Sequence, residues 1–208
     1  MKNSAKKDFP VSNIRQLLEP GPVVLVSSAW KGKYNIMTMG WHTVIEFSPA
    51  LVGCVIAENN VSFEMIRKSR ECVINVATAE LVDKVVGIGN CSGDEVDKFE
   101  QFRLTPVAGN RVAAPLIREC FANLECRIAD TRLVKDYNFF ILEVLQAHVA
   151  TAPKYPRTLH YRGQGIFITS GHAVNKRQKF TKWKNTPNFF QFLFGLLASR
   201  NIAIHFDD

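Results

Sequence analysis

Between Tyr34 and Trp41 the chain reads Asn35-Ile36-Met37-Thr38-Met39-Gly40-Trp41, so an amide, a hydroxyl, a thioether, a glycine and an indole crowd one short stretch. An ordinary half-buried strand alternates apolar and polar side chains. This mixture departs from that pattern and suits a flat, heteroaromatic, phosphorylated ligand. Asn35 can donate and accept hydrogen bonds, and Thr38 can reach a phosphate oxygen. Gly40 lets a ligand approach the backbone, and Trp41 offers an apolar face beside a ring system. The same residues also suit a plain half-buried strand with Trp41 in the core, and composition alone leaves both open.

The elements that must position this run follow from local signals. Residues Val11 to Leu18 are predicted as a short helix closed by Pro20-Gly21-Pro22, and Val23 to Ala29 is a β-branched run typical of a buried strand. Lys31-Gly32-Lys33 predicts a hairpin turn into the Tyr34 strand, and Ser48-Pro49 breaks the chain before an apolar strand from Leu51 to Ala57. Ser62 has the character of a helix N-cap, with Glu64 in the first turn and Arg67, Lys68 and Arg70 towards the end, matching the helix dipole. Backbone N–H groups there could bind phosphate. Further helices are predicted over Ala79–Ile88 and Glu95–Phe102, and strands over Phe121–Ile128 and Phe139–Val149. The sum is mainly β with helical insertions. The predicted organisation is an N-terminal helical segment over 1–19, one domain over 20–180, and a C-terminal tail over 181–208.

Length and charge narrow the function classes. At 208 residues and 47% hydrophobic content, one good core suffices. The net charge of +7 sits at the ends: Met1–Lys7 holds three lysines and Lys176–Lys184 holds five basic residues. Those eight of the 26 basic residues leave 18 against 19 acidic ones, a near-neutral body that argues against a nucleic-acid groove. The apolar stretch Phe189–Ala198 is far shorter than the ~20 residues needed to cross a bilayer. Neither a nucleic-acid partner nor a transmembrane segment is therefore expected.

Five cysteines (Cys54, Cys72, Cys91, Cys120 and Cys126) form an odd set without CxxC spacing, behind a lysine-rich N-terminus with no apolar run. They predict a reduced, cytoplasmic protein. Cys91, beside Ser92 and Gly93, is the best candidate for an exposed thiol. The five scattered histidines lack metal-ligand spacing, so no metal is expected. Gly87, Gly89 and Gly93 follow a helical pattern and have the wrong spacing for a dinucleotide fingerprint. No P-loop, nucleophile elbow or HExxH occurs.

Several motifs occur together in one order. After the Tyr34–Trp41 run come Ser62-Phe63-Glu64-Met65-Ile66, Glu71-Cys72-Val73-Ile74-Asn75-Val76, Cys91-Ser92-Gly93 leading to Asp97-Lys98-Phe99-Glu100, Pro115 to Cys120, and Leu124-Glu125-Cys126. This order resembles the flavin reductase-like, FMN-binding split-barrel family, and within it the flavoredoxin-type branch. The resemblance implies a Greek-key-like split β-barrel, a homodimer, and FMN held near the subunit interface. Carried over residue by residue, it implies that Asn35, Ile36, Met37, Thr38, Met39 and Trp41 contact the flavin and its ribityl-phosphate arm. Asn60, Ser62 and Phe63 would face it from the helix start. Lys98 and Phe99 would close the pocket, the alternative being a solvated Asp97–Lys98 pair with Phe99 as a core anchor. Arg177 would belong to a basic C-terminal element.

The chemistry so implied is electron transfer from NAD(P)H, or from a redox-protein donor, through FMN to an acceptor. The isoalloxazine accepts the hydride itself, which accounts for the lack of a catalytic triad or paired carboxylates. One alternative is a flavoredoxin-like electron carrier without its own turnover. A lower one is a nucleic-acid or membrane-surface adaptor using Lys176–Lys184. Ser92-Gly93-Asp94-Glu95 departs from the family pattern, which would place a basic residue after the glycine.

Overall fold

The computed structural model describes residues 21–174. The predicted helix at 11–18, the basic segment 176–184 with Arg177, and the apolar stretch 189–198 lie outside the described residues. The chain divides into two units, residues 1–171 and 172–208, and every element named here lies in the first.

Strand β1 (Val24–Trp30) turns through Lys31-Gly32 into β2 (Lys33–Met39), with Trp30 opposite Lys33. Both turn residues have positive φ, 50° and 77°. That is the two-residue hairpin geometry whose twist matches the strands, and Gly32 adopts it without a Cβ penalty. A second hairpin joins β3 (His42–Phe47) to β4 (Ala50–Val55). Helix α1 (Val61–Ser69) leads into β5 (Glu71–Val76), and a 3₁₀ turn at Ala79–Leu81 into α2 (Val82–Gly89). There follow α3 (Lys98–Gln101), the short pair β6 (Pro106–Val107) and β7 (Leu116–Ile117), and β8 (Ala122–Asp130). Helix α4 (Val134–Tyr137), β9 (Phe139–Val149) and a hairpin of β10 (Leu159–Gly163) and β11 (Ile166–Thr169) complete the unit.

Seven strands form one antiparallel sheet in the order β2-β1-β5-β8-β9-β4-β3. Its two edge strands, β2 and β3, are consecutive in sequence and joined only by Gly40-Trp41. The Val55 N–H donates to the Trp41 carbonyl at 3.0 Å, and His42 Nε2 lies 2.8 Å from the Pro22 carbonyl. The sheet therefore curls until its edges approach each other at one corner, which is a split barrel.

The apolar run at Val23–Ala29 is continuous because β1 is buried on both faces. Val24 and Val26 point into the barrel with Met37, Met39, Ile66 and Phe140. Val23, Leu25 and Ile36 point outwards against Val85 and Ile88 of α2 and Phe99 of α3. Val85 and Ile88 are fully buried, each contributing roughly 1.5–3 kcal/mol. Helix α2 is thus firmly docked on the outside of β2, and the segment after it has a fixed origin.

Three local expectations change. Helix α1 is capped by Asn60, whose side chain accepts from the Ser62 N–H at 3.1 Å; Ser62 lies inside the first turn, fully buried. The helix expected over 79–88 is split, its first turn tightening to 3₁₀. Of the helix expected over 95–102 only Lys98–Gln101 forms, because Asp97 caps it by accepting from the N–H groups of Phe99 and Glu100.

Candidate functional site

Because β2 is an edge strand, it presents backbone groups that no neighbouring strand occupies on one side. A cavity of about 330 Å³ lies along that edge. Both faces of β2 reach it, Asn35 and Met37 from one and Thr38 from the other. The second wall is the entry to α1 (Asn59, Asn60, Val61), and the third is the end of α2 with the following loop, Ile88 to Gly93. Lys98 closes it from α3.

Among the described residues Lys98 is the only charged side chain in this lining, and it is 6% exposed. Its ammonium donates to the Ile88 carbonyl in the last turn of α2 at 3.0 Å, and no ion pair engages it among the described residues. Burial pulls its pKa down, with the neighbouring Cys91 thiol acting the other way. A buried cation of this kind is costly unless a counter-charge joins it. An anionic group entering the cavity would provide one.

Asn35 carries the complementary demand. Its amide nitrogen donates to Ser62 Oγ at 3.0 Å, while its buried Oδ1 has no hydrogen-bond partner among the described residues. An unsatisfied buried acceptor costs about 1–3 kcal/mol, and a hydroxyl or N–H donor on a ligand would relieve it. Gly93 makes room for this amide: a Cβ there would collide with all three end atoms of Asn35. Asn60 spends its side-chain oxygen on the helix cap, leaving its NH₂ as the donor.

A larger cavity of about 650 Å³ adjoins the first and shares Thr38, Gly89 and Asn90 with it. Its walls are mainly apolar and aromatic: Val23, Val85 and Val86 on one side, Trp41 at the corner of the barrel, and Tyr161 and Phe167 of the β10–β11 hairpin. The Tyr161 and Phe167 rings pack at 5.0 Å, and the Tyr161 hydroxyl accepts from the Gly165 N–H at 3.2 Å.

The structure brings Asn35, Met37, Thr38, Asn60 and Lys98 together in the polar cavity and places Trp41 in the aromatic one. Ser62 stands directly behind Asn35. The other expected residues among those described are part of the core and do not line either cavity. Ile36 is fully buried against α2, Met39 and Phe63 lie inside the barrel, and Phe99 packs edge-on to Tyr34 at 6.1 Å. Strand phase does not set Ile36 and Met39 apart, since Ile36 shares a face with Thr38 and Met39 with Asn35 and Met37; packing does, Ile36 lying under α2 and Met39 inside the barrel, while Phe99 follows Lys98 on α3 and faces another way. Three expected phosphate donors are already engaged. The Thr38 hydroxyl donates to the Val85 carbonyl at 2.7 Å, and the Ser62 and Phe63 N–H groups are bonded to Asn60. Asn59, Gly89 and Asn90 were not anticipated. The Asn59-Asn60 pair before a helix was a legible signal for the first, whereas Gly89 and Asn90 owe their place to where α2 ends.

The residues present fit FMN in chemical type: hydroxyl donors on a ribityl chain for Asn35 Oδ1, a phosphate for Lys98, and an apolar corner at Trp41 for a ring. Among the described residues no cluster of His, Cys, Asp and Glu is suited to a metal ion, and no helix is long and apolar enough to cross a membrane.

Comparison with known proteins concerns the domain and its fold. Residues 17–168 match the flavin reductase like domain. An uncharacterized protein of Archaeoglobus fulgidus is 36% identical over 135 residues, covering 65% of this chain and 76% of its own. Among solved structures, an FMN-binding domain of a flavin reductase-like enzyme from Shewanella baltica OS155 superposes with a TM-score of 0.68 at 27% identity, covering 80% of this chain and 95% of that one. A flavoredoxin from Methanosarcina acetivorans shares the fold with a TM-score of 0.71 at 24% identity, covering 86% and 99%. With the domain match spanning most of the chain and the curled seven-stranded sheet in place, this protein belongs to the flavin reductase-like, FMN-binding split-barrel family.

Proposed function

We propose that the chain is an FMN-dependent oxidoreductase, taking reducing equivalents from NAD(P)H or another donor and passing them to an acceptor. The observation that carries this is the pairing, in one cavity, of a buried lysine lacking a carboxylate partner with a buried amide oxygen lacking a donor. FMN supplies both missing partners. Lys98 neutralises the phosphate, Asn60 donates to it, and Asn35 accepts from a ribityl hydroxyl. Thr38 is held rigid by its bond to α2, and with Gly40 and Trp41 it borders the ring. When bound, the flavin supplies the hydride and electron chemistry, and the protein needs no acid–base residue of its own for that step.

A homodimer is part of the same proposal. Val44 and Ile45 of the edge strand β3 are 61% and 40% exposed, an apolar edge of the kind that a second chain covers. The five cysteines are all free thiols, which suits a reducing compartment.

The test is the visible spectrum of protein purified without added flavin, repeated after adding FMN and desalting. A flavin band near one per subunit supports the cofactor role, and steady-state NAD(P)H oxidation by that preparation then separates an enzyme from a carrier. Absence of a retained band in both preparations would overturn a tightly held FMN.

A further inference from the structure

We propose that Cys91 is a modification site, where a small thiol carrying a carboxylate and an N–H is held as a mixed disulfide and shuts the polar cavity to FMN. Three groups that converge there point to it. The Cys91 sulfur lies 3.9 Å from the Ile88 carbonyl oxygen, the same oxygen that accepts from the Lys98 ammonium at 3.0 Å, so a thiol and a buried cation share one acceptor. Asn35 is 3% exposed, and its Oδ1 has no hydrogen-bond partner among the described residues. That oxygen faces the same loop, being the first atom that a Cβ on Gly93, two residues after Cys91, would meet. Cys91, Gly93, Asn35 and Lys98 all line the polar cavity.

The other four cysteines are buried among the apolar side chains of the core. Cys91 differs in being half-buried, in a loop, at the wall of a cavity of about 330 Å³. Its neighbours define the adduct. Lys98 calls for an anion and Asn35 Oδ1 for a donor. A peptide-like thiol offers both in one molecule, a carboxylate for the ammonium and an amide or amine N–H for the amide oxygen, while its sulfur ends at Cys91. Asp94 and Glu95 follow in the chain, but both are exposed and outside the lining, where water and salt screen them more than they screen Lys98.

The step is thiol–disulfide exchange with the disulfide form of that small thiol. The Cys91 thiolate attacks one sulfur of the incoming disulfide; the new S–S bond forms as the old one breaks, and the departing sulfur takes the electron pair and then the proton that Cys91 gave up. Cys91 is oxidised and half of the incoming disulfide is reduced, so the balance needs no other reagent. A second thiol reverses it. Because the adduct's carboxylate takes Lys98, the flavin phosphate loses its counter-charge, and cofactor binding follows the thiol–disulfide balance. That consequence rests on the FMN reading; the mixed disulfide does not.

The experiment treats the full-length chain with glutathione disulfide, dithiodipropionate or cystamine and follows adduct mass with time. Each rate is divided by that for a peptide of residues 88–95, which cancels the reagent's own reactivity. Glutathione carries the carboxylate and the N–H, dithiodipropionate the carboxylate alone, and cystamine an ammonium in place of the carboxylate. Wild type should take up one glutathionyl group, roughly tenfold faster than the cystamine half and faster than the dithiodipropionate half, and Cys91→Ser should take up none. Lys98→Met should lower the preference for glutathione over cystamine roughly tenfold. The glutathionyl adduct should bind FMN at least roughly tenfold more weakly than untreated protein and recover on reduction, whereas Cys91→Ser should bind FMN alike before and after treatment. Modification of native Cys91→Ser, or a wild type that stays unmodified, would overturn the site. An unchanged preference in Lys98→Met would remove the anionic class, parity of glutathione and dithiodipropionate would remove the Asn35 contact, and an adduct that binds FMN as untreated protein does would remove the closure. If neither form binds FMN while Cys91 is modified with the expected preference, the cofactor reading fails and the modification site stands.

Discussion

Substituting Lys98 by Met separates a phosphate ligand from a helix cap. Lys98 donates to the Ile88 carbonyl in the last turn of α2, so it could simply terminate that helix. Were that its whole function, Lys98→Met would strand one carbonyl, cost about 1 kcal/mol of stability, and leave cofactor affinity alone. If the ammonium instead meets the FMN phosphate, the variant loses a hydrogen bond between charged groups worth about 1.5–3 kcal/mol, or roughly 10–150-fold in FMN affinity. Riboflavin, which lacks the phosphate, should bind wild type and variant equally. Stability supplies an independent reading, since methionine removes a buried charge at the same time as the hydrogen bond. These oppose each other, and the flavin-free melting temperature should move by no more than about 4 °C, the shift expected for 1 kcal/mol at this size. The pH dependence has a definite sign. Burial lowers the Lys98 pKa in the folded state, so folding favours the neutral amine, and flavin-free wild type gains stability as pH rises from that lowered value towards the ordinary lysine value near 10.4. The variant should lack that gain. Fluorescence titration with FMN and with riboflavin, beside thermal melts, measures all of this. Equal losses for the two flavins, or no loss for either, would refute the assignment of Lys98 to the phosphate.

Two further outcomes test the frame around the site. Only Cys91 should react with a thiol reagent in the native protein: Cys54, Cys72, Cys120 and Cys126 are buried, burial pushes Cys54 and Cys120 up to about 12, and Cys72 is raised by its bond to Cys126 and by burial. Since Cys91 lines the polar cavity, saturating FMN should slow its labelling at least roughly tenfold if the flavin blocks access; unaltered labelling would place FMN elsewhere. Glu125 is fully buried and accepts from the N–H groups of Asn110, Arg111 and Val112 and from His148 at 2.7 Å, fastening the 109–112 loop to β8. Burial by itself would raise its pKa, but His148 and the three backbone donors outweigh this and hold it low, so its stabilisation is present above about pH 4.3 and lost as pH falls through the lowered value. Glu125→Gln should cost about 1.5–3 kcal/mol at pH 7, the worth of hydrogen bonding to a charged group, with the gap to wild type closing in acid. A constant gap between pH 3 and 7 in urea melts would contradict that account.

What the sequence made legible, and what it did not, follows from how far each residue's role depends on distant partners. The hairpin at Lys31-Gly32, the doubly buried β1 and the Asn35–Trp41 run could be read because turn chemistry and strand phase are local. Ile36 and Met39 belong to the same run, and their strand phase matches that of Thr38 and of Asn35; only the docking of α2 over Ile36 and the closure of the barrel around Met39 bury them, and neither is local. Ser62 looked like a cap because it precedes an apolar turn, yet the asparagine two residues earlier caps the helix and Ser62 is pulled inward by Asn35. Of the aromatic cavity only the wall at Thr38, Gly40 and Trp41 could be read, since β10 and β11 begin more than a hundred residues after β2 and meet it only through the fold.

That separation also explains why the two cavities differ in chemistry. The polar one is built where backbone ends converge: the edge of β2, the start of α1 and the end of α2 all leave N–H or C=O groups without regular partners. Side chains that satisfy such ends are amides, hydroxyls and cations, and Asn60, Thr38 and Lys98 each do so while lining the cavity. The aromatic cavity is built largely from side chains of α2 and the β10–β11 hairpin, whose backbones are internally bonded, and backbone reaches it at Gly40, Gly89 and Gly165. A polar pocket for a phosphorylated ligand is therefore a consequence of how the elements terminate. Val86, Tyr161 and Phe167 take no part in those bonds, so the aromatic wall can change in shape without disturbing Asn60, Thr38 or Lys98.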